Sequence, residues 1–254
     1  MNVGSMSQAP TPEFLAHLRQ GGGANYLPLS DWDLAGVSLV NAHLVGLDFS
    51  GMNFRGANLQ GANLQGANLS GAALSRAHLE QANLTGVLFE QTKLDGARYD
   101  RHTKWPDGFA YKSSGAVGPG ASLNGAYLNT AHLRGADLEG ATLLGAYVSG
   151  ADFTGANLAK TRLSGADMRC CFLTGAYLKG ASLNSVNLSG VDFRAADLTD
   201  VQMEHLESIA GADFGQVQGL SEALRSRLLS RPASELDVWN AYTRRSTRNS
   251  LLIL

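Results

Sequence analysis

The chain has 254 residues and a formal net charge of −2, from 22 acidic and 20 basic side chains. A balance this close to neutral gives no reason to expect nucleic acid or an anionic membrane as partner. No run of eighteen apolar residues exists, so no transmembrane helix is expected. Two cysteines do not call for an oxidising compartment.

Residues 1–30 read as a disordered start, Met1 to Gln8, followed by a short helix. Thr11 is its cap, with Pro12 in the first turn. Phe14, Leu15 and Leu18 form an apolar stripe, and Gly21 to Gly23 end the helix. It is expected to cover an open β edge, which would otherwise invite aggregation. Met1 to Pro12 has no basic start and no apolar stretch, so no signal peptide is expected and the location reads as cytoplasmic.

Residues 31–100 repeat a five-residue unit, plainest in Gly-Ala-Asn-Leu-Gln at Gly56 to Gln60 and Gly61 to Gln65. The apolar centre recurs every fifth residue, from Leu34 through Leu39, Leu44 and Phe49 to Tyr99. Two residues before each centre stands a small side chain, as at Ala57, Ala62 and Ala67. In an extended chain the two share one face, and the polar positions between them face water. Gly after each unit marks a corner. A helix is excluded, because a five-residue step turns the centre by about 140° and leaves no constant apolar face. Each unit is therefore a very short strand and a corner. One unit cannot bury its own Leu; stacked coils can.

Residues 101–120 break the register. Tyr99 and Leu123 are twenty-four residues apart, which is not a multiple of five. Trp105 and Phe109 are too apolar for a free linker, and a turn is expected at Pro106 to Gly108. Gly115 to Ser122 has the outline of a phosphate loop, but Ala121 stands where the lysine is needed, so nucleotide binding is rejected. Loops on rigid scaffolds often carry function; the alternative is a purely structural insertion.

Residues 121–214 resume the repeat, with centres from Leu123 to Met203. Outward positions here hold Tyr127, Tyr147, Phe172 and Tyr177. Exposed aromatics on a rigid face are candidate anchors for a protein partner; alternatively they only stabilise the coil. The adjacent Cys170 and Cys171 fall on a corner and on an inward small-residue position. Cys171 reads as a buried thiol, and a strained vicinal disulfide is the alternative. After Met203 the repeat decays, and Ala212-Asp213-Phe214 looks like a last unit out of register. Residues 215–254 read as helical: Ser221 to Ser230 with Leu224 and Leu228 on one face, then a stretch from Ser234 with Leu236, Val238 and Trp239. Arg244, Arg245 and Arg248 precede an apolar tail, Leu251 to Leu254.

The small residue, Asp or Asn, and Leu or Phe of each unit resemble the pentapeptide-repeat family over about two thirds of the chain. The resemblance implies an all-β fold, a right-handed quadrilateral β-helix with four units per coil. The thirty-one steps of the two blocks then make about eight coils, expected with short helical caps at both ends and one loop insertion. Tyr99, Asp100, Thr103, Trp105, Pro106, Gly108 and Phe109 resemble an insert that recurs in cyanobacterial members. The family implies a non-enzymatic interaction scaffold or regulator whose partner is an unnamed protein. Some members imitate DNA and bind gyrase, which needs an acidic face. Acidic against basic residues number seven to four over 31–100 and seven to six over 121–203, too even for a mimic. Such relatives dimerise through a carboxy-terminal helix, and the tail leaves that open here. No cofactor is expected. The six histidines lack metal-ligand spacing, and a four-sided coil stack offers no deep cleft for catalysis.

Overall fold

A computed structural model describes residues 9–21 and 32–252. The expected disorder of Met1 to Gln8, the Gly22 and Gly23 part of the helix stop, and Ile253 and Leu254 at the tail lie outside the described residues. The chain divides into two compact units, Met1–Val117 and Gly118–Leu254.

In the first unit the polar residue before each centre pairs in parallel with the residue twenty positions on. Ser38, Asn58, His78 and Arg98 form one such column, and His43, Asn63 and Asn83 the next. Twenty residues at five per unit make four sides per coil. The centre amide donates to the following coil, as from Leu59 to the His78 carbonyl at 2.8 Å and from Leu64 to Asn83 at 2.9 Å. The amide before it donates to the preceding coil, as from Asn63 to Ala42 at 2.8 Å. A tight bond from Ala62 to the Leu59 carbonyl, 3.0 Å, turns the chain. Backbone groups therefore find partners in neighbouring coils, which the isolated unit could not supply.

The centres are the core. Leu39, Leu44, Leu59, Leu64, Leu69 and Leu74 are fully buried, with Ala57, Ala62 and Ala67 filling the space between them. Phe49 and Phe54 meet edge to face at 5.2 Å. Corners need a left-handed residue, and Gly66 supplies it at φ 68°. Arg76, Lys160, Cys170 and Ala195 hold the same conformation without being glycine, at a strain of roughly 1–2 kcal/mol each. Helix α1, Pro12–Arg19, is capped by Thr11, whose hydroxyl accepts from the Phe14 amide. Its Arg19 carbonyl accepts from the His43 amide at 3.3 Å, and the Arg19 guanidinium donates to the Ser38 carbonyl at 2.6 Å. Phe14 stacks on Trp32 at 4.6 Å.

The break after Tyr99 has a simple geometry. Asn83 pairs with Lys104, twenty-one residues on, and Arg98 with Val117, nineteen on. The stretch thus carries the chain once round and returns it one residue short of the regular count. It takes the place of regular units rather than leaving the coil as an added loop.

The second unit has four unbroken columns: Ser122 to Gln202, Tyr127 to Ser208, His132 to Asp213 and Asp137 to Gln218. The spacing changes from twenty to twenty-one between Ser182–Gln202 and Asn187–Ser208, and stays twenty-one thereafter. One extra residue, accommodated near His205 at φ 50°, accounts for what reads in sequence as decay. Ala212-Asp213-Phe214 remains on the ladder, and Phe214 stacks on Phe193 at 5.2 Å. Helix α2, Glu222–Leu229, has Ser221 as cap and buries Leu224 and Leu228. The expected stretch from Ser234 is shorter than read: α3 spans Ala233–Leu236. Val238 and Trp239 lie beyond it and are exposed, and Trp239 pairs with Ser246 as an antiparallel bridge. The tail holds a further helix, α4, Thr247–Leu252, in which the Ser246 hydroxyl accepts from the Asn249 amide. Both cysteines are free thiols, and Cys171 is buried and donates to the Val148 carbonyl at 3.0 Å. Burial pushes its pKa up to about 12.

Leu64 and Leu138 are fully buried centres, one in each unit. Leu64→Asp or Leu138→Asp would bury an unpaired carboxylate and should cost several kcal/mol, on the order of 3–5. Chemical denaturation measures it; an unchanged midpoint in both variants would refute the inward assignment.

Candidate functional site

Two groups of aromatic residues stand out, one in each unit. The first is built on the irregular coil. The Asp100 carboxylate accepts from the amides of Gln81, His102 and Thr103 at 2.9–3.0 Å. The buried Thr103 hydroxyl donates to the Leu79 carbonyl at 2.9 Å. These bonds fix the chain as it leaves the regular repeat, and they aim Trp105 at the side of the coil. Trp105 lies parallel to Tyr111 at 5.1 Å and stacks on Phe109 at 5.6 Å. Phe109 in turn stacks on Phe89 at 4.7 Å. Tyr99, buried, presents its edge to both Trp105 and Tyr111. Five rings therefore pack on one another, and a single-turn 3₁₀ helix, Tyr111–Ser113, closes the group. Trp105 and Phe109 are half-buried. Most of their area supports the coil, and their outer edges remain at the surface.

The second group lies on the regular coils of the other unit. Tyr127 and Tyr147 are neighbours in one column. Their rings are parallel within 2° at 4.9 Å, the spacing of hydrogen-bonded strands. The backbone sets that distance: Leu128 donates to the Tyr147 carbonyl and Tyr147 donates to Ala126. Tyr127 is 81% exposed and Tyr147 45%. Below them in the same column comes Asp167, which holds Arg169 through two bonds of 2.8 and 2.7 Å. The pairing with Arg169, chiefly its hydrogen bond, draws the Asp167 pKa down despite partial desolvation.

Phe172 and Tyr177 do not join this pair. Phe172 sits on the next side, between Asp152 and Asp192 in its column. It is half-buried beneath the edge of Tyr242 at 5.0 Å. Tyr177 sits on the side after that, exposed, between Asn157 and Asp197. So the structure brings together Tyr127 with Tyr147, and Trp105 with Phe109, and leaves the other two apart.

Sequence reasoning missed a third surface. The turn from Trp239 to Ser246 exposes both Trp239 and Tyr242. Asn240 builds it. Its side-chain oxygen accepts from the amides of Tyr242 and Thr243, and its Nδ2 donates to the Gly211 carbonyl at 2.8 Å. Asn can bond the backbone two residues on, which is the chemistry of an Asx turn. The apolar pattern of Leu236, Val238 and Trp239 points to a helix instead, and the turn at Asn240 replaces it.

Carboxylates on these sides are mostly compensated. Asp152 meets Arg134, and Asp192 holds Arg194 through two bonds. Among the described residues, no three His, Cys, Asp or Glu side chains stand together in a way that could hold a metal. No helix among them is long and apolar enough to cross a membrane.

A family profile described as pentapeptide repeats matches residues 33–71, 72–98, 131–169 and 171–205, in eight copies. No curated protein matches the chain. Several solved structures resemble it. HetL, a pentapeptide repeat protein involved in heterocyst differentiation regulation in the cyanobacterium Nostoc sp. strain PCC 7120, is 28% identical over 74% of this chain and 84% of its own, with a TM-score of 0.28. A second Nostoc pentapeptide repeat protein, alr5209, is 32% identical over 41% of this chain and 88% of its own, at 0.23. QnrB1, a plasmid-mediated fluoroquinolone resistance protein, is 18% identical over 76% of this chain and 97% of its own, at 0.32. At these scores none of the three bears on how this chain works.

Asp167, Asp152 and Asp197 all have pKa values held below the ordinary 3.8. For a depressed carboxylate the stabilisation is complete above the unfolded value and is lost as pH falls through the folded one. Thermal stability should therefore be flat from neutral pH down towards 4 and then fall. Asp167→Asn should remove part of that acid dependence, which melting curves across this range would detect.

Proposed function

The chain belongs to the pentapeptide-repeat family, and from that premise we propose that it is a non-enzymatic interaction scaffold that presents fixed side chains to a protein partner. The observation that carries this reading is the Tyr127–Tyr147 pair. The two rings are exposed yet parallel, held at the coil spacing by backbone bonds on both sides. A rigid aromatic pair loses little conformational entropy on binding, which is what makes Tyr an effective anchor. In this reading the partner meets the column that runs from Tyr127 through Tyr147 to Asp167 and Arg169. Phe172 and Tyr177 contribute from adjoining sides if the partner wraps round the coil. Trp105 and Phe109 offer a second, smaller contact in the other unit.

The finer features of the fold belong to the same proposal: about eight coils in the whole chain, helical covers at the chain ends, and a cytoplasmic location. The Tyr99 to Phe109 stretch is what supports a cyanobacterial type of regulator. The competing reading is a DNA mimic acting on gyrase or another topoisomerase, and it calls for a continuous acidic surface. Asp152, Asp167 and Asp192 each face an arginine instead, which supports the interaction scaffold.

Two measurements test this. Tyr127→Ala and Tyr147→Ala should each weaken binding by 2 kcal/mol or more, about thirtyfold, against the partner recovered from the native host. Their melting temperatures should hardly move. If alanine lowers the melting temperature and leaves affinity intact, the pair only stabilises the coil. In a supercoiling assay with DNA gyrase, the purified protein should not inhibit, and clear inhibition would favour the mimic.

A further inference from the structure

Many corners of the repeat share one polar arrangement. The residue before the centre is Asp or Asn, and its side-chain oxygen accepts from the amide just after that centre. Asn58 takes the Gln60 amide at 3.1 Å in this way, and Asp197 the Thr199 amide at 2.9 Å. One column of the second unit, Ser122 to Gln202, has no Asp or Asn in that position. At two of its corners an Asn of the preceding coil supplies the acceptor instead. The Leu144 amide donates to Asn124 Oδ1 at 3.0 Å, and the Glu204 amide to Asn184 Oδ1 at 2.8 Å.

Asn124 is followed by Gly125, and this is the one Asn-Gly pair in the chain. Both residues are exposed, and Gly125 holds the left-handed corner at φ 66°. The pair carries the reactants of an intramolecular acyl transfer. The Gly125 nitrogen is the nucleophile, unshielded by any Cβ, and Asn124 Cγ is the electrophile. In the folded coil each is tied to Leu144. The Asn124 oxygen accepts from the Leu144 amide, and the Gly125 amide donates to the Leu144 carbonyl at 2.9 Å. The nucleophile thus has its N–H engaged, and the carboxamide is held on the next coil instead of against its own backbone.

We propose that Asn124–Gly125 is a succinimide-forming modification site, gated by the pairing of its corner with Leu144. When that contact opens, both reactants are released together. The Gly125 nitrogen gives up its proton and bonds to Asn124 Cγ. The Cγ–Nδ2 bond breaks, and Nδ2 takes up the proton and leaves as ammonia. Water then opens the ring at either carbonyl, to an aspartate or to an isoaspartyl link. The two products differ in the coil. An aspartate keeps an oxygen for the Leu144 amide. An isoaspartyl link runs the main chain through Cγ and so adds an atom to a corner held on both sides, by Leu123 donating to Thr142 at 2.7 Å and Leu128 to Tyr147 at 2.8 Å. The chain then cannot resume both bonds, and Tyr127, which lies between them, leaves its stack on Tyr147.

The test uses the full chain. It is incubated at mildly alkaline pH, once folded and once in guanidinium, then digested, and aspartyl and isoaspartyl products at position 124 are quantified by mass spectrometry. Conversion should run about tenfold or more faster in the unfolded chain, since the folded one reacts only through local opening. Equal rates in the two states would overturn the proposal, and so would the absence of conversion in both. Hydrogen exchange at the Leu144 amide examines the contact itself. Asn124→Ala should speed that exchange by about tenfold, whereas Asn124→Asp should leave it as in the unaltered protein. Unchanged exchange in Asn124→Ala would refute the role of the Asn124 oxygen in the gate.

Discussion

The repeat depends on one register: in the regular coils a residue pairs with the residue twenty positions on. That pairing is a backbone constraint, not a side-chain preference. It stacks each apolar centre on another apolar centre, as Leu59 on Leu79 and Phe49 on Leu69, so the inward positions form continuous buried columns. It also satisfies the amides, because centre and preceding residue donate in opposite directions along the stack. A five-residue unit has too little apolar area to fold alone. Its stability comes from its neighbours, and this is why the repeat tolerates such variety at the outward positions.

The register explains what was legible in the sequence and what was not. The inward positions could be read directly, because burial demands an apolar residue, mostly Leu or Phe, at the centre and a smaller one, mostly Ala, two residues before it. Even Cys171 follows, since its thiol takes a small slot and finds the Val148 carbonyl. Irregular coils were harder. A gap of twenty-four residues after Tyr99 suggests an addition, yet Arg98 pairs with Val117, only nineteen residues on. Sequence spacing counts residues, whereas the ladder fixes only where the chain must return. Trp105 packs against Tyr99, Phe109 and Tyr111 along this stretch, contacts that no count could reveal. The same logic hid the single extra residue near His205, where the pattern fades but the pairing continues to Gln218.

The outward aromatics were legible one by one but not as a surface. Spacing by twenty put Tyr127 over Tyr147, and the rings do stack. Phe172 could be assigned to its side, but not its cover, because Tyr242 arrives from seventy residues further along the chain through the Asn240 turn. A polar segment such as Ser246 to Ser250 also gives a weak helical signal. Its helix forms because Thr247, Ser250 and Leu251 are buried against the last coil. Tertiary contact decides that element, and local propensity does not.

These two kinds of surface imply a division of labour along the second unit. The sides of the coils carry outward side chains, Tyr127 and Tyr147 among them, that the register itself does not dictate. The end of the stack has no such freedom. Several backbone groups there are met by side chains, and the residues that meet them, Arg231, Glu235, Thr247 and Ser250, must keep both their chemistry and their positions. The sides can therefore vary while the end cannot, because the end residues hold the last coil through their own bonds. A binding surface that depended on the end would have to give up the bonds that keep the last coil closed.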